Sequence, residues 1–313
     1  MSNLIPAERL AYFSAIREMV ANEQYVDLLA FEGQEPNSAE FKRKAFAHYQ
    51  PTAHDIIVTT YPKSGTNWTM QIAQQIAWLG ESTYNFIHDV IPWPDSLMKT
   101  PVVSLDAELE PSPTGYRVIK SHLEAAYIPV NDKAKYIVVM RDPKEVVVSG
   151  FHFQNGFFEK MVGASVPLWA YVDGFVSNRF VYASWADHTA GWWQLRQRPN
   201  VLILYFHEMK SDTNKAIDQI ATFLNVKLTT EQHAIVAEKS SHSYMKANNH
   251  LFSPPAPADY QTQGQIDMVR SGQAGQSGQI LTPAQQAQID RFSLDECARL
   301  SSDFPYRQTF MHL

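Results

Sequence analysis

Residues 56–68 read Ile-Ile-Val-Thr-Thr-Tyr-Pro-Lys-Ser-Gly-Thr-Asn-Trp, and the fold expected for the chain follows from this stretch. Residues 56–60 are typical of a short buried strand, and apolar residues at helical spacing follow over 70–79. The segment 61–68 is therefore a turn between a strand and a helix. In such a turn, successive backbone N–H groups and the helix N-terminus point toward an anion, so the layout predicts a phosphate-binding loop.

The rest of the chain alternates between strand and helix patterns. Further strands are predicted at 116–120 and 135–140, where β-branched residues are enriched as expected for a parallel sheet, and at 201–206. One helix is predicted to begin at Pro143, and three more are predicted over 167–197, 213–224 and 283–301. This order predicts an α/β fold, a single domain with a central, mostly parallel sheet flanked by helices, similar to the P-loop NTPases.

The bulk composition narrows the class of protein. With 313 residues, of which 45% are hydrophobic, the chain can bury a sizeable core, and its net charge of −6 argues against a nucleic-acid partner. The one cysteine, Cys297, permits no internal disulfide and fits a reducing compartment. No apolar run approaches the roughly 20 residues of a membrane span, and the charged start does not match a signal peptide. We therefore expect a cytoplasmic protein without a transmembrane segment.

No linker divides the chain, so residues 1–313 are expected to form one domain. The first fifty residues are mixed helical and polar. Residues 246–282 are rich in Gly, Gln, Pro and Ser and show little periodicity. A connection this long in a compact domain is usually a functional lid or a disordered stretch. We favour a lid that orders over a ligand, and surface disorder is the alternative.

The loop at 61–68 differs from the usual signature of nucleotide hydrolases. Lys63 precedes the Ser-Gly pair, whereas in G-x-x-x-x-G-K-[ST] the lysine follows the second glycine. Gly65 lets the backbone approach an anion, Thr66 can add a hydroxyl donor, and Lys63 can add a mobile positive charge. Taken alone, this stretch is also compatible with a solvent-exposed turn that caps a helix.

Residues 61–68 as a whole closely resemble the 5′-phosphosulfate loop of the cytosolic sulfotransferase family. Four further segments resemble family motifs in the correct order: 120–123, 141–149, 185–193 with the 201–210 segment, and 270–272. Together they cover most of the chain from 51 to 285, and the first fifty residues match poorly. The resemblance implies transfer of a sulfuryl group from 3′-phosphoadenosine 5′-phosphosulfate (PAPS) to a hydroxyl or amine of a small acceptor, without a metal.

The resemblance also assigns residues to the nucleotide. Those expected around the 5′-phosphosulfate are Lys63, Ser64, Gly65, Thr66, Asn67 and Trp68, with the Trp68 ring stacked on adenine. Those expected at the 3′-phosphate are Arg141, Ser149, Arg270, Ser271 and Gly272. Ser240 and His242 match positions near the nucleotide. Because Ser271 stands where the family has a lysine, one cation is lost, and weaker PAPS binding than in an Arg-Lys-Gly enzyme is expected.

Sulfuryl transfer resembles phosphoryl transfer. The acceptor attacks in line and negative charge develops on the leaving oxygen, so the reaction needs a base and fixed positive charge. His122 follows a predicted strand, at the edge where open α/β sheets have their sites, and imidazole accepts protons near neutral pH. The resemblance assigns His122 as the base, Lys63 to the bridging oxygen and Lys120 to the sulfuryl oxygens.

Aromatic residues are expected to line the acceptor pocket. Phe153 lies where the family has a pocket aromatic, and the other candidates are Trp93, Phe86, Phe157 and Phe252. Such a pocket suits phenols, steroids or other flat alcohols, and a lipid hydroxyl remains equally open. Glu124 replaces a family proline and is expected to reshape the acceptor mouth.

Three questions stay open at this point. Tyr205 and Phe206 are both candidates for an aromatic contact that the family often makes with a tyrosine. The family's short dimerisation motif is absent, which leaves the oligomeric state undecided. A P-loop kinase using ATP and magnesium, with Asp142 near the metal, is the alternative enzyme. A nucleotide-binding protein without catalysis is the other alternative, although binding alone needs no base such as His122.

Overall fold

The computed structural model describes residues 7–97, 102–253, 260, 262, 264–269, 275 and 277–311. Within these residues a four-stranded sheet has the order β2-β1-β3-β4. Its strands are β1 (Asp55–Thr60), β2 (Arg117–Ser121), β3 (Lys135–Met140) and β4 (Val201–Tyr205). All neighbouring strands are parallel. The predicted α/β architecture with a parallel central sheet is therefore confirmed.

Helices precede, connect and follow the strands. Before β1 lie α1 (Ala7–Ala21), α2 (Tyr25–Glu32), α3 (Gln34–Asn37) and α4 (Ala39–Ala45). Between the strands lie α5 (Thr66–Ala77), α6 (Pro143–Val162), α7 (Leu168–Val176) and α8 (Trp185–Trp193). After β4 lie α9 (Phe206–Ser211), α10 (Thr213–Phe223), α11 (Thr230–Lys239), α12 (His242–Ala247), α13 (Ser277–Ile280), α14 (Pro283–Arg299) and α15 (Tyr306–Phe310). Short 3₁₀ turns occupy Ile87–Asp89, Ala125–Tyr127 and Asn249–Leu251.

Helices cover both faces of the sheet, and this explains why β1 is buried along its whole length. Ile57 belongs to a core that includes side chains of α1, α2 and α6–α8. Its neighbours Ile56 and Val58 point to the other face and belong to a second core with α5 and α10. The poorly matched N-terminal segment therefore packs with the rest of the chain through Phe13 and Leu28.

The helix predicted over 167–197 is wrong over 177–184, because two helices stand in its place. α7 ends at Val176, and Asn178 has a φ of +54°, a left-handed conformation that an α-helix cannot continue. α8 begins after Ser184, whose hydroxyl accepts a hydrogen bond from the Asp187 backbone N–H at 3.1 Å. Phe180, between the helices, packs edge-on against Phe175. The segment between the helices thus begins with three exposed polar residues, Ser177, Asn178 and Arg179, and continues with the buried Phe180 and Val181.

The parallel arrangement brings four chain segments to one edge of the sheet. β1, β2, β3 and β4 end at Thr60, Ser121, Met140 and Tyr205, and the residues that follow each strand meet above this edge. Among them are Lys63, His122, Arg141 and Phe206. Open α/β sheets bind ligands at this edge. None of the helices in the described ranges has the length and apolar character needed to cross a bilayer.

Candidate active site

The loop after β1 has the backbone conformation of an anion cradle. Lys63 and Gly65 both have positive φ, +68° and +95°, so the chain turns sharply before α5 begins at Thr66. The hydroxyls of Thr60 and Thr66 share a 2.6 Å hydrogen bond that fixes the helix start to the end of β1. The first N–H groups of α5, which include that of Asn67, have no partner earlier in the helix and are available to an anion.

Gly65 lies directly against Phe206. A Cβ atom at this position would lie 2.8 Å from Cδ2 of the Phe206 ring, closer than carbon atoms can approach. Glycine is therefore required at this position for two reasons, the positive φ and the close approach of the Phe206 ring. Phe206 lines the cleft and Tyr205 does not, which favours Phe206 as the candidate for the aromatic contact.

Two buried serine hydroxyls near this loop indicate a missing polar partner. Ser64 Oγ and Ser240 Oγ are both fully buried and have no hydrogen-bond partner among the described residues. Buried hydroxyls are normally hydrogen-bonded, so an unpaired pair beside an anion cradle fits a polar ligand. Trp68 ties the two segments together, since its Nε1 donates to the Ser240 carbonyl at 2.9 Å. The residues present therefore fit a phosphorylated nucleotide.

Arg141 lies on the other side of the loop. Its Nη1 donates to the Lys63 carbonyl at 2.6 Å, and its guanidinium stacks over the Phe206 ring at 4.2 Å. A further contact links it to Glu145 one turn along α6, at 3.3 Å. Ser149 follows one turn later and also lines the cleft. The strand-to-helix turn thus brings Arg141 and Ser149 to the same cleft, as the sequence predicted.

His122 is held in a single tautomer. Its Nδ1 lies 2.9 Å from the Thr60 carbonyl, which can only accept, so Nδ1 carries the proton. The lone pair is therefore on Nε2, which has no hydrogen-bond partner among the described residues. The backbone N–H of His122 donates to Asp95 Oδ2 at 2.8 Å. Burial, together with the positive charge of Lys120, lowers the pKa of His122 well below its usual range. A neutral imidazole with an open nitrogen can act as a base.

The two lysines rest on aromatic rings. Lys63 Nζ lies 3.4 Å from the centre of the Phe153 ring, and Lys120 Nζ lies 3.2 Å from that of Trp93. Burial lowers the pKa of Lys120 to about 7, an effect that the nearby Asp95 carboxylate partly opposes. The buried Lys120 ammonium group is poorly hydrated, which strengthens its interaction with any anion that enters.

The cleft is large, about 2330 Å³, and aromatic side chains line part of it. Trp93 stacks on His88 at 5.1 Å and meets the His122 ring edge-on at 5.6 Å. Phe153 meets Phe157 edge-on at 4.9 Å, so this predicted neighbour does line the cleft.

Two of the predicted pocket aromatics lie elsewhere. Phe252 is fully buried in the core beside Tyr84, and the prediction that it contacts an acceptor is wrong. Phe252 directly follows the 3₁₀ turn Asn249–Leu251 and packs in the same core as the β1 residues Ile56 and Val58. Phe86 contacts His88 behind Trp93 and is not part of the cleft wall.

Sequence reasoning missed several residues of this site. Asp95 supports His122, and the imidazole of His188 lines the cleft with its Nε2 3.5 Å from the Thr59 hydroxyl. A buried ion pair, Lys42 to Glu124, also lines the cleft at 2.6 Å. The sequence signal for this pair was Glu124, which departs from the family pattern.

Three predicted nucleotide contacts, Arg270, Ser271 and Gly272, lie outside the described residues. The other predicted nucleotide residue after β4, Ser240, lines the cleft together with His242. Residues 265–269 line it as well, and the Met268 N–H donates to the Asn249 side chain at 3.0 Å. Within the described ranges, no group of three or more His, Cys, Asp or Glu side chains could hold a metal ion.

This geometry defines a class of protein: an α/β enzyme that transfers a group from an anionic donor with the help of lysines and a base. The comparisons narrow the class. A family model described as the sulfotransferase domain matches residues 53–301. The chain therefore belongs to the sulfotransferase family, as the sequence motifs predicted, and the predicted enzyme class is confirmed. The alternative of a P-loop kinase is not favoured.

Curated relatives extend over almost the whole chain. Sulfotransferase 2A1 of Macaca fascicularis is 31% identical over 291 residues, which is 90% of this chain and 99% of the relative. Human sulfotransferase 2A1 is 30% identical, with the same coverage. The 3-beta-hydroxysteroid sulfotransferase of Cavia porcellus is 30% identical over 83% of this chain and 90% of its own length.

Solved structures support the fold. Retinol dehydratase was crystallised with retinol and PAP (3′,5′-adenosine bisphosphate). It matches with a TM-score of 0.65 and 20% identity over 86% of this chain and 88% of its own chain. Mouse sulfotransferase SULT7A1, complexed with PAP, matches with a TM-score of 0.60 and 23% identity over 84% and 91%. At 20% and 23% identity, these matches support the fold of the chain and nothing further.

Proposed function

We propose that this protein transfers the sulfuryl group of PAPS to a hydroxyl of a flat, largely apolar small molecule. The observation that carries the proposal is the His122 imidazole, held neutral with Nε2 open, in a cleft that is also lined by the buried Lys120, the partly buried Lys63 and a phosphate-binding loop. An amine acceptor would use the same chemistry. The names of the relatives, which are hydroxysteroid sulfotransferases in two cases, support a small-molecule acceptor.

Each catalytic residue has a defined task in this proposal. PAPS supplies the activated sulfuryl group. His122 Nε2 takes the proton of the acceptor hydroxyl as its oxygen forms a bond to sulfur. Lys63 neutralises the charge that develops on the bridging oxygen as the sulfur–oxygen bond to the 5′-phosphate breaks. Lys120 neutralises the sulfuryl oxygens, and the products are the sulfate ester and 3′,5′-adenosine bisphosphate (PAP).

The nucleotide is anchored at both ends. The N–H groups at the start of α5 and the hydroxyls of Ser64 and Thr66 bind the 5′-phosphosulfate. Arg141 and Ser149 bind the 3′-phosphate, and Arg270, Ser271 and Gly272 close over it from the predicted lid at 246–282. Trp68, Ser240 and Phe206 lie beside one another and form the adenine side of the cleft, which their contacts support.

The acceptor lies on the opposite side of the lysines. Trp93, Phe153 and Phe157 give this part of the cleft flat apolar walls, and such walls suit rings of phenols or steroids. His122 stands at the junction, because its ring touches Trp93 while its Nδ1 is tied to the end of β1.

The His122→Ala variant tests the base. We expect it to bind PAP with wild-type affinity by calorimetry and to lose at least a hundredfold in turnover, since base catalysis typically contributes about 10²–10⁴. Turnover is measured with labelled PAPS in an acceptor screen that includes phenols and hydroxysteroids. Wild-type turnover in the variant would remove His122 from the mechanism.

Two further measurements test the reaction class. Transfer that survives a strong chelator fits sulfuryl transfer and contradicts a magnesium-dependent kinase. A protein that binds ATP but ignores PAP would contradict the whole proposal, as would one that binds PAP and transfers to no acceptor.

A further inference from the structure

A second polar group lines the cleft, apart from His122 and the two lysines. It is the ion pair of Lys42, from α4, with Glu124, which lies two residues after His122. Lys42 Nζ and Glu124 Oε1 are 2.6 Å apart, and both residues are more than nine-tenths buried. A buried ion pair is expensive to desolvate and is seldom retained for stability alone. Both side chains line the cleft.

This pair leaves one carboxylate oxygen unused. Glu124 Oε2 is buried and has no hydrogen-bond partner among the described residues. The same is true of the hydroxyl of Tyr61, which is 3% exposed and also lines the cleft. An unsatisfied buried carboxylate oxygen or hydroxyl is costly, typically ~1–3 kcal/mol. Two such atoms in one wall of a ligand cleft indicate polar groups that wait for a ligand.

Tyr61 and Glu124 belong to the same neighbourhood. The Tyr61 ring meets those of His188 and Tyr182 edge-on, each at 6.2 Å. His188 Nε2 lies 3.5 Å from the Thr59 hydroxyl, which itself donates to the Leu123 carbonyl, immediately before Glu124. Burial raises the pKa of Tyr61 well above its usual value, and the nearby Tyr182 and Glu124 add to the rise. The Tyr61 hydroxyl is therefore protonated and can both donate and accept.

The backbone fixes Glu124 in this orientation. The Leu123 carbonyl accepts from the Thr59 hydroxyl and from Trp192 Nε1, both at 3.2 Å. Glu124 itself has φ −62° and ψ 151°, a conformation that proline also adopts. A proline at this position would leave the same backbone and an apolar wall. The carboxylate is therefore an addition to the cleft rather than a requirement of the chain path.

The charges nearby select the kind of ligand group. Lys42 already balances the Glu124 carboxylate, so a second cation such as an ammonium would meet the Lys42 charge as well. An anion would meet an unpaired carboxylate oxygen. A neutral hydroxyl fits both unsatisfied atoms, because it can donate to Glu124 Oε2 and accept from the Tyr61 hydroxyl.

We propose that Glu124 and Tyr61 form a second polar subsite, which binds a neutral hydroxyl of the acceptor other than the one that is sulfated. The preferred acceptors are then diols with a flat apolar frame. This inference rests on the proposed sulfotransferase activity, and it specifies the acceptor class of the same site.

The test compares matched acceptors. A panel of steroid mono-ols, the corresponding diols with the second hydroxyl at different positions, and amines with an ammonium at those positions is assayed with labelled PAPS. In the wild type, we expect kcat/KM for the best diol to exceed that of its mono-ol by about tenfold or more, because the mono-ol leaves buried polar groups unpaired. The matching amine is expected to be no better than the mono-ol.

Two variants assign the preference to Glu124. Glu124→Gln keeps an acceptor for Lys42 and replaces the free carboxylate oxygen by an N–H donor, which should reduce the diol preference about tenfold. Lys42→Met combined with Glu124→Leu removes both charges together, so it avoids an unpaired lysine if the single variant does not fold. Asp27→Asn, which removes a carboxylate from an exposed ion pair with Arg179, is the matched control and should leave the preference unchanged.

The outcomes separate this inference from the function on which it rests. Turnover of mono-ols and diols without discrimination overturns the subsite and leaves the sulfotransferase proposal intact. An equal loss for both acceptor types in Glu124→Gln, or a diol preference that survives in both variants, also overturns it. Absence of turnover across the whole panel contradicts the proposed function itself, and the subsite with it.

Discussion

Gly65 has a backbone conformation that no other residue type adopts easily. Its φ of +95° and the 2.8 Å approach of a hypothetical Cβ to Phe206 both exclude a side chain. We therefore expect Gly65→Ala to distort the loop and to weaken PAP binding at least tenfold, with a cost of about 1–3 kcal/mol. Calorimetry measures the affinity.

A suitable control for Gly65→Ala is Gly278→Ala. A Cβ at Gly278, on α13, would meet no atom within 4 Å. This variant should bind PAP within twofold of wild type. Unchanged PAP affinity in Gly65→Ala would mean that the loop does not carry the phosphosulfate.

Asp95 partly offsets the effect of burial on the pKa of Lys120. The buried Lys120 has a pKa of about 7, lowered by desolvation, and the Asp95 carboxylate opposes this shift. Removal of the carboxylate charge in Asp95→Asn should lower the Lys120 pKa further, so Lys120 loses its proton at a lower pH. We expect the alkaline limb of the kcat/KM profile, which reports the free enzyme, to move to lower pH.

The matched control for this profile is Asp132→Asn, which removes an exposed carboxylate paired with Arg198. Its alkaline limb should coincide with that of the wild type. If Asp95→Asn also leaves the limb in place, Lys120 is not the group that titrates there.

α6 connects the proposed 3′-phosphate site to the start of α13. Glu145 accepts from Arg141 through Oε2 and from the Ser277 backbone N–H through Oε1, at 2.8 Å. Ser277 begins the helix that ends the predicted lid at 246–282. Arg141, which we assign to the nucleotide, and the end of this segment are thus held by one carboxylate.

Limited proteolysis tests the lid. Trypsin can cleave this segment after Lys246 and Arg270. We expect PAP to slow cleavage after Arg270 at least fivefold, because the proposed phosphate contact orders that residue. Cleavage after Lys133, in a distant turn, serves as the internal control and should be unaffected. Equal rates with and without PAP would favour the alternative, plain surface disorder.

Glu145→Gln extends the same experiment. The amide can still contact one partner but no longer offers two carboxylate oxygens to Arg141 and Ser277. We expect the protection of Arg270 by PAP to fall, while PAP still binds through the α5 loop. Full protection of Arg270 in this variant would show that the contacts of Glu145 with Arg141 and Ser277 do not contribute to closure of the predicted lid over the nucleotide.

The strands and the helices directly attached to them could be predicted because their signals are local. β3 matches its predicted range and α6 begins at Pro143 as predicted, whereas α5 begins at Thr66, inside the predicted turn 61–68 and four residues before the predicted helix 70–79. The break at 177–184 was missed, because the aromatic and apolar residues on both sides and the buried Phe180 outweighed the local signal of Ser177, Asn178 and Arg179. The helices α11 and α12 were missed for the opposite reason, since few of their side chains are buried.

The candidate site divides in the same way. Lys63, His122 and Arg141 were found because each follows a strand in a recognisable motif. Asp95 and the Lys42–Glu124 pair were missed, because only the folded chain brings residues from distant segments together. No periodicity or spacing marks such a contact.

Buried histidines predict how the whole molecule responds to acid. Burial lowers the pKa values of His88 and His188 to about 3, whereas an unfolded histidine titrates near 6.5. Between these values the unfolded state binds more protons, so stability must fall as the pH drops below about 6.5. Each histidine contributes a slope of up to about 1.4 kcal/mol per pH unit. Asp142, whose pKa burial raises to about 6, acts with the opposite sign.

Denaturant unfolding at pH 7, 6 and 5 measures this slope. We expect the free energy of unfolding of His88→Gln to depend less steeply on pH than that of the wild type, by up to about 1.4 kcal/mol per pH unit. Parallel curves for the His88 variant and the wild type would mean that His88 is protonated in the folded protein.

The ring faces on which Lys63 and Lys120 rest belong to Phe153 and Trp93, which we propose as walls of the acceptor pocket. A flat acceptor cannot stack on a face that an ammonium group already covers. We expect the negatively charged donor to draw both ammonium groups toward it and so to uncover Phe153 and Trp93. Substrates should therefore bind in a compulsory order, nucleotide before alcohol, and tight acceptor binding to the nucleotide-free protein would exclude that order.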